Sequence, residues 1–309
     1  MKKPTLEQQF HKVMDAWSND KLDPASVDEK WIEEFAEHCK QSLIKQLTPR
    51  PEGYSNRASG MGKALCILQR EKEQAPKSKK DYNFKMKMLV GDITEGVVSF
   101  LAKVGRVGMS AENTEIKLKI DGDIITGTDD HTINGKVYDS KTCSDFAWKF
   151  KWLKGYEGLK ESDDFGYITQ LYTYALGQGI DAGGWIVVNK STGELLVVDI
   201  PKDKVEEKRV KEELKFKLKA LREDWSFTKC YDVDDDYFNR KYTGSQKLNK
   251  NCHYCDFRAV CWPHAQLLPR ANSTAKTPTY SWYTRYLGKD LINEDTKRKS
   301  KRAKTSTVG

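Results

Sequence analysis

Gly127-Thr-Asp-Asp-His-Thr-Ile-Asn-Gly-Lys-Val-Tyr-Asp-Ser-Lys141 reads as a hairpin built around Asn134-Gly135. Both central residues of a type I′ turn need positive φ, and Asn-Gly meets that need best. With the turn placed there, Ile133 faces Lys136, Thr132 faces Val137, His131 faces Tyr138, and Asp130 faces Asp139. Directly opposed Cβ atoms lie about 5 Å apart. Side chains alternate faces along a strand, so Lys141 emerges on the side of Asp139, while Ser140, Asp129 and His131 point away. Asp130, not Asp129, is therefore the expected ligand.

Two carboxylates so close repel each other unless a cation lies between them, and oxygen donors favour a hard ion such as Mg²⁺ or Mn²⁺. Such an ion binds a phosphate oxygen and activates water, and a neighbouring lysine orients that water or stabilises developing negative charge. The competing reading is a solvated hairpin whose outer face happens to carry charges. A lone Asp-x-Lys triplet favours that reading. The opposed Asp130 shifts the balance toward chemistry.

The chain has 309 residues, enough for one large domain with appendages. It has no apolar run of about eighteen residues, which argues against a membrane span, and its amino terminus turns polar at once, unlike a secretory signal. A cytoplasmic address follows, in a bacterium or in the host cytoplasm if a phage encodes the protein. The net charge of +8 is unevenly placed, since Lys297, Arg298, Lys299, Lys301, Arg302 and Lys304 supply six of those charges. Any nucleic-acid groove in the remainder must be a local patch.

The hydrophobic period predicts a helix over 27–47 with Ile32, Phe35, Cys39, Leu43 and Leu47 on its packing side. A second helix, 84–104, places Glu95 among Met88, Gly91 and Val98 on an inward face, where a carboxylate needs a partner. Strands 115–120 and 123–128 pair about Asp121-Gly122 and continue through Asn134-Gly135 into a third strand, a meander. A helix over 162–179, strands at 184–189 and 194–200, and a charged helix over 202–224 follow. The segment 232–250 reads as irregular, with Asp232-Val-Asp-Asp-Asp236 a solvated turn, and the chain beyond about Asn272 reads as flexible. The expected organisation is an N-terminal helical segment (1–54), an α/β catalytic domain (55–268) and a basic flexible tail (269–309).

Helix, three-strand meander, helix, strand resembles the core of the PD-(D/E)XK nuclease superfamily, and the RecB-type exonuclease branch in particular. That branch carries Gly-x-x-Asp, here Gly127-Thr-Asp-Asp130; Asp-x-Lys-Thr, here Asp139-Ser-Lys-Thr142; and Gln-x-x-x-Tyr, here Gln170-Leu-Tyr-Thr-Tyr174. An acidic residue on the preceding helix completes the set, and Glu95 occupies that place. The resemblance implies that Asp130, Asp139, the Ser140 carbonyl and Glu95 hold the metal, that Lys141 acts on the water, and that Gln170 and Tyr174 position Lys141 and the strand. Taken by themselves, Gln170 and Tyr174 share one helix face and suit either packing or a phosphate oxygen.

Cys252-His-Tyr-Cys255-Asp-Phe-Arg-Ala-Val-Cys261 places three thiols where a soft metal centre would want them. Cys66 is the expected fourth ligand, although His253 or His264 could complete a local Zn²⁺ site instead. One cysteine before the core and three after it resembles the AddB-like layout, which implies a [4Fe-4S] cluster stapling the ends of the domain. Cys39, Cys143 and Cys230 read as ordinary small side chains. Lys149, Lys151, Lys154 and Lys160, interleaved with Phe146, Trp148, Phe150, Trp152 and Tyr156, form either a basic aromatic platform for single-stranded DNA or a buried connection.

The expectation is a Mg²⁺- or Mn²⁺-dependent deoxyribonuclease, an exonuclease on single-stranded DNA ends in recombination, repair or phage DNA metabolism. Recombination or replication proteins are the expected partners. The rivals are a noncatalytic DNA-binding or scaffold subunit of a recombination complex and an endonuclease that nicks or trims flaps.

Overall fold

Asn134 and Gly135 adopt φ of 51° and 72° in the computed structural model of the chain, the positive values that a type I′ turn requires. The structure describes residues 3–49 and 51–287. Met1–Gln74 with Lys80–Ser226 forms one unit, and Ala75–Lys79 with Phe227–Gly309 forms a second.

The first unit begins with helices α1 (Leu6–Ser18), α2 (Glu29–Leu47), α3 (Ala58–Met61), α4 (Leu65–Lys72) and α5 (Phe84–Val104). Strands β1 (Met109–Glu112), β2 (Glu115–Ile120), β3 (Asp123–Thr128), β4 (His131–Ile133) and β5 (Lys136–Cys143) follow. Then come α6 (Asp145–Phe150), α7 (Gly155–Glu161), α8 (Tyr167–Gln178), β6 (Asp181–Asn189), β7 (Leu195–Asp199) and α9 (Lys204–Arg222).

Five strands form a mixed sheet in the order β1-β4-β5-β6-β7, with β5 and β6 parallel. The β4–β5 ladder pairs His131 with Tyr138, Thr132 with Val137 and Ile133 with Lys136. Alternation along the central strands divides the core into two layers. Val137, Trp185 and Val187 pack with Leu171 of α8 and Leu214 of α9. Tyr138 and Ile186 pack with Phe10 of α1 and with Val98 and Leu101 of α5. Trp185 and Phe10 are fully buried, each contributing about 2 kcal/mol or more through area removed from water. The result is the expected α/β architecture, a mixed five-stranded sheet with helices packed on both faces.

The expected meander is bent. β2 and β3 form their own two-stranded ribbon, whose pairing carries on into β1 and β4 through Asp129 N–H to Thr114 O (3.0 Å) and Asn113 N–H to Asp130 O (3.1 Å). Asn113 at φ 52° and a register shift within β1 turn the ribbon there. Asp130 therefore lies just before β4, outside the ladder rather than in a regular pair with Asp139.

Helix α2 is out of phase with its apolar stripe. Ile32, Leu43 and Leu47 are exposed, and Ser42 is its buried residue. The helix meets α5 through Phe35 and His38, because Gly96 lets the imidazole approach where a Cβ would stand 2.5 Å from His38 Cδ2. A small residue on α5 thus overrides the apolar pattern on α2.

The second unit contains β8 (Val233–Phe238), β9 (Lys241–Leu248), α10 (Lys250–His253), α11 (Arg258–Cys261), β10 (Gln266–Pro269) and β11 (Tyr280–Arg285). Its four strands pair in the order β10-β11-β9-β8. The expected irregular segment is a hairpin turned by Asn239 and Arg240, both at positive φ. Asp236 is not a solvated turn residue: it is fully buried, ion-paired with Lys247 at 2.9 Å and accepting from Tyr283 Oη at 3.2 Å. Residues 280–285, expected in a flexible tail, form β11. The basic residues from Lys297 onward lie outside the described residues.

Candidate active site

Strand β5 presents Asp139 and Lys141 on the α8 side of the sheet, where their side chains form an ion pair. Asp139 is 1% exposed. Its Oδ2 receives no hydrogen bond of normal geometry beyond that ion pair. The Asp130 carboxylate accepts the Ser140 N–H at 2.7 Å, which fastens it to the same strand. Asp129 turns away and accepts the Thr114 N–H at 2.8 Å, holding the ribbon's bend. Helix α8 starts at Gly166, in the left-handed region, with the Asp163 carboxylate accepting from the N–H groups of Tyr167 (2.7 Å) and Ile168 (2.9 Å). From this helix Gln170 Nε2 donates to Tyr174 Oη at 3.0 Å and reaches Asp139 Oδ1 at 3.5 Å. A Cβ at Gly127 would stand 3.0 Å from the Tyr174 ring and 2.9 Å from Ala58, so the glycine of Gly-x-x-Asp makes room for the tyrosine.

Glu95 comes from α5, on the other side of the sheet. Burial, then the negative charge of Asp130, pushes its carboxyl up to about 8, with Asp139 and Asp92 adding and Lys45 opposing. Burial likewise raises Asp139, to about 6, against the attraction of Lys141. Asp130 is raised for the same reason. Burial alone would lower the Lys141 ammonium, but Asp139 and Asp130 outweigh it and hold Lys141 above the usual lysine range. Asp139 and Asp130 therefore share one protonated lysine, and Glu95 adds a third buried carboxyl that feels the negative charge of both. A cavity of about 600 Å³ between α2 and α5 reaches Glu95, with Asp92 on its wall held by Lys45 (2.8 Å) and Gln46 (2.6 Å).

His131 points to the opposite face, as alternation requires, and is fully buried beside Ser140 Oγ (2.7 Å) and Ser99 Oγ (3.4 Å). Burial lowers its pKa to about 4. The two shifts give opposite pH dependences. Glu95 has a folded value near 8 against 4.5 for the free group, so stability falls as pH rises between them. His131 has a folded value near 4 against 6.5, so stability rises with pH in that lower window. Above pH 6.5 the histidine adds only about 0.4 kcal/mol more. Chelator-treated protein should then lose about 1 kcal/mol between pH 6.5 and 8 in urea titrations, and Glu95→Gln should flatten the loss. A wild-type stability that holds or rises over that range would contradict this assignment.

In the second unit, Cys252 lies in α10, Cys261 in α11, and Cys255 in the turn between them, accepting from the Phe257 N–H at 3.4 Å. Burial raises both Cys252 and Cys255, and their thiol neighbours add to it. Cys230, read from sequence as an ordinary side chain, contributes to the shift at Cys252. Cys66 lies in α4 of the first unit and is half-buried. Among the described residues, no group of three or more His, Cys, Asp or Glu side chains is placed to hold a metal ion. In the carboxylate site, protein donors take the carboxylate oxygens instead: Lys141 on Asp139 and the Ser140 N–H on Asp130.

The profile of the PD-(D/E)XK nuclease superfamily matches residues 2–262. The chain belongs to this superfamily. PD-(D/E)XK proteins are usually metal-dependent nucleases using Mg²⁺ or Mn²⁺, and that chemistry suits the present oxygen set. A hard cation would relieve the buried Asp139 Oδ2 and the repulsion among Glu95, Asp130 and Asp139. A solved structure entitled "Crystal structure of SSO0001" is similar over 75% of this chain and 96% of its own, at 16% identity and a TM-score of 0.41. No curated protein matches. No helix among the described residues is long and apolar enough to cross a membrane.

Sequence reasoning missed two neighbours of this carboxylate site. Asp92 lies one turn before Glu95 on α5, a spacing that could have suggested it. The Tyr167 ring centroid lies 5.0 Å from Lys141 Nζ.

Proposed function

We propose that this chain is a divalent-cation-dependent deoxyribonuclease that degrades single-stranded DNA from its ends. The observation that carries the reading is the meeting of Asp130 and Asp139 at Lys141, with Glu95 close enough to feel both carboxylates, each carboxyl raised by burial and by neighbouring negative charge. Glu95, Asp130, Asp139 and the Ser140 carbonyl would hold Mg²⁺ or Mn²⁺. When bound, the cation supplies charge to the scissile phosphate and acidity to a water. Lys141 stays protonated beside Asp139, so it orients the water and neutralises charge on the phosphate rather than removing a proton. Gln170 bridges Tyr174 to Asp139 and holds that carboxylate against the lysine's face of the site.

Linear and circular single strands with Mg²⁺, each against a chelator control, test the reading. Labelled linear DNA is expected to disappear from its ends while circles persist. Circles cut as fast as linear strands would replace the exonuclease with an endonuclease.

The reading extends to Cys66, Cys252, Cys255 and Cys261 as ligands of a [4Fe-4S] cluster, with Zn²⁺ the competing occupant. The supporting facts are the Cys-x2-Cys-x5-Cys spacing and the thiols of Cys252 and Cys255, both raised by burial and by neighbouring cysteines. Recombination, repair or phage DNA metabolism is the setting that suits such an activity, with recombination or replication proteins as partners.

A further inference from the structure

The aromatic residues between β5 and α8 split into two groups. Trp148 and Trp152 belong to the core, while Phe146, Phe150 and Phe165 are exposed, Phe165 by 63%. Phe165 ends a column of rings that rises from the core to the surface. Trp185, fully buried, lies 6.3 Å from Trp152; Trp152 is stacked on Tyr167 at 6.0 Å and 21°; Tyr167 is stacked on Phe165 at 5.4 Å and 20°. The column passes directly beside the reacting groups, since the Tyr167 ring is 5.0 Å from Lys141 Nζ. A second ammonium, Lys151 Nζ, lies 5.0 Å from the Tyr167 centroid and 5.9 Å from that of Phe165. It donates to the Ser162 carbonyl at 2.9 Å, which keeps it over these rings.

An exposed flat ring costs solvent contact with apolar surface, and here it is held nearly parallel to the ring beneath it rather than folded against the protein. That geometry suits one more flat ring on top. The cation alongside suits the phosphate that accompanies a base. We infer that Phe165 is a base-stacking platform for a single-stranded DNA nucleotide next to the scissile phosphate, and so favours unpaired over duplex substrate. The inference rests on the nuclease reading for the position of the scissile phosphate. Duplex DNA keeps its bases stacked on one another and offers no free face to Phe165, whereas a single strand does. Lys149 and Lys154 contribute less, because they are paired with Asp145 and Glu161.

The test compares binding of a short labelled thymidine oligonucleotide with that of an abasic oligonucleotide of equal length, in chelator. Wild-type protein should bind the thymidine strand about tenfold more tightly, within the range measured for one base stacked on one aromatic ring. Phe165→Ala should erase that difference while leaving the abasic affinity unchanged, and Phe165→Trp should retain it. Equal affinity of wild type for the two strands, or a difference that survives Phe165→Ala, overturns the inference. Cleavage of the thymidine strand with Mg²⁺ is scored separately. Base-dependent binding without cleavage would overturn the nuclease reading and keep the platform; cleavage without base-dependent binding would do the reverse.

Discussion

Asp139→Asn is expected to reduce cleavage of single-stranded DNA at least about a thousandfold, equivalent to some 4 kcal/mol of lost transition-state stabilisation. The substitution keeps the volume and removes the charge. Folding should survive it, because burial already disfavours the Asp139 carboxylate and raises its pKa to about 6. Lys141 loses one partner but retains the attraction of Asp130. Lys141→Ala should lose activity to a similar degree for a different reason. It leaves Asp139 buried without its counter-charge, so this variant should also be less stable above pH 6, where the wild-type carboxylate relies on the ammonium. The two variants thus separate chemistry from folding by their melting curves. Activity within tenfold of wild type in either one would remove the assignment of the site.

Anaerobically purified protein is expected to be brown, with broad absorption near about 400 nm, and Cys255→Ser or Cys66→Ser should each abolish the colour. Cys66 and Cys252 are far apart in sequence, so a shared cluster closes a loop of about 190 residues. Loop-closure entropy of that size is worth about 5 kcal/mol, and the cysteine variants should lose most of it in thermal or urea unfolding. Colourless protein with one equivalent of zinc, unaffected by Cys66→Ser, would instead favour a local site completed by His253 or His264.

The hairpin at Asn134-Gly135 was legible because a single dipeptide satisfies the backbone of its turn and thereby sets the register of everything beside it. The choice of Asp130 over Asp129 followed from alternation, and the geometry places Asp130 on Ser140 and Asp129 on the bend. Glu95 was legible as an inward carboxylate needing company. Less readable were features settled by tertiary contact. The phase of α2 depends on a glycine in another helix. The β8–β9 hairpin turns on Asn239-Arg240, which lacks the usual glycine, and it buries Asp236 with Lys247 and Tyr283, a polar core that hydropathy does not reveal. The Phe165 column joins residues from a loop, a helix and a strand, and no periodic pattern connects them.

The bend that parts the β2–β3 ribbon from the main sheet also makes the domain convenient to engineer. Its tip, Asp121-Gly122, is exposed and belongs to a ladder separate from the one that carries Asp139 and Lys141. A fluorophore, affinity handle or surface tether grafted there would be carried by the ribbon, leaving the β4–β5 pairing to its own turn. The protein thus offers an attachment point whose chemistry can be changed independently of the strand that would cut.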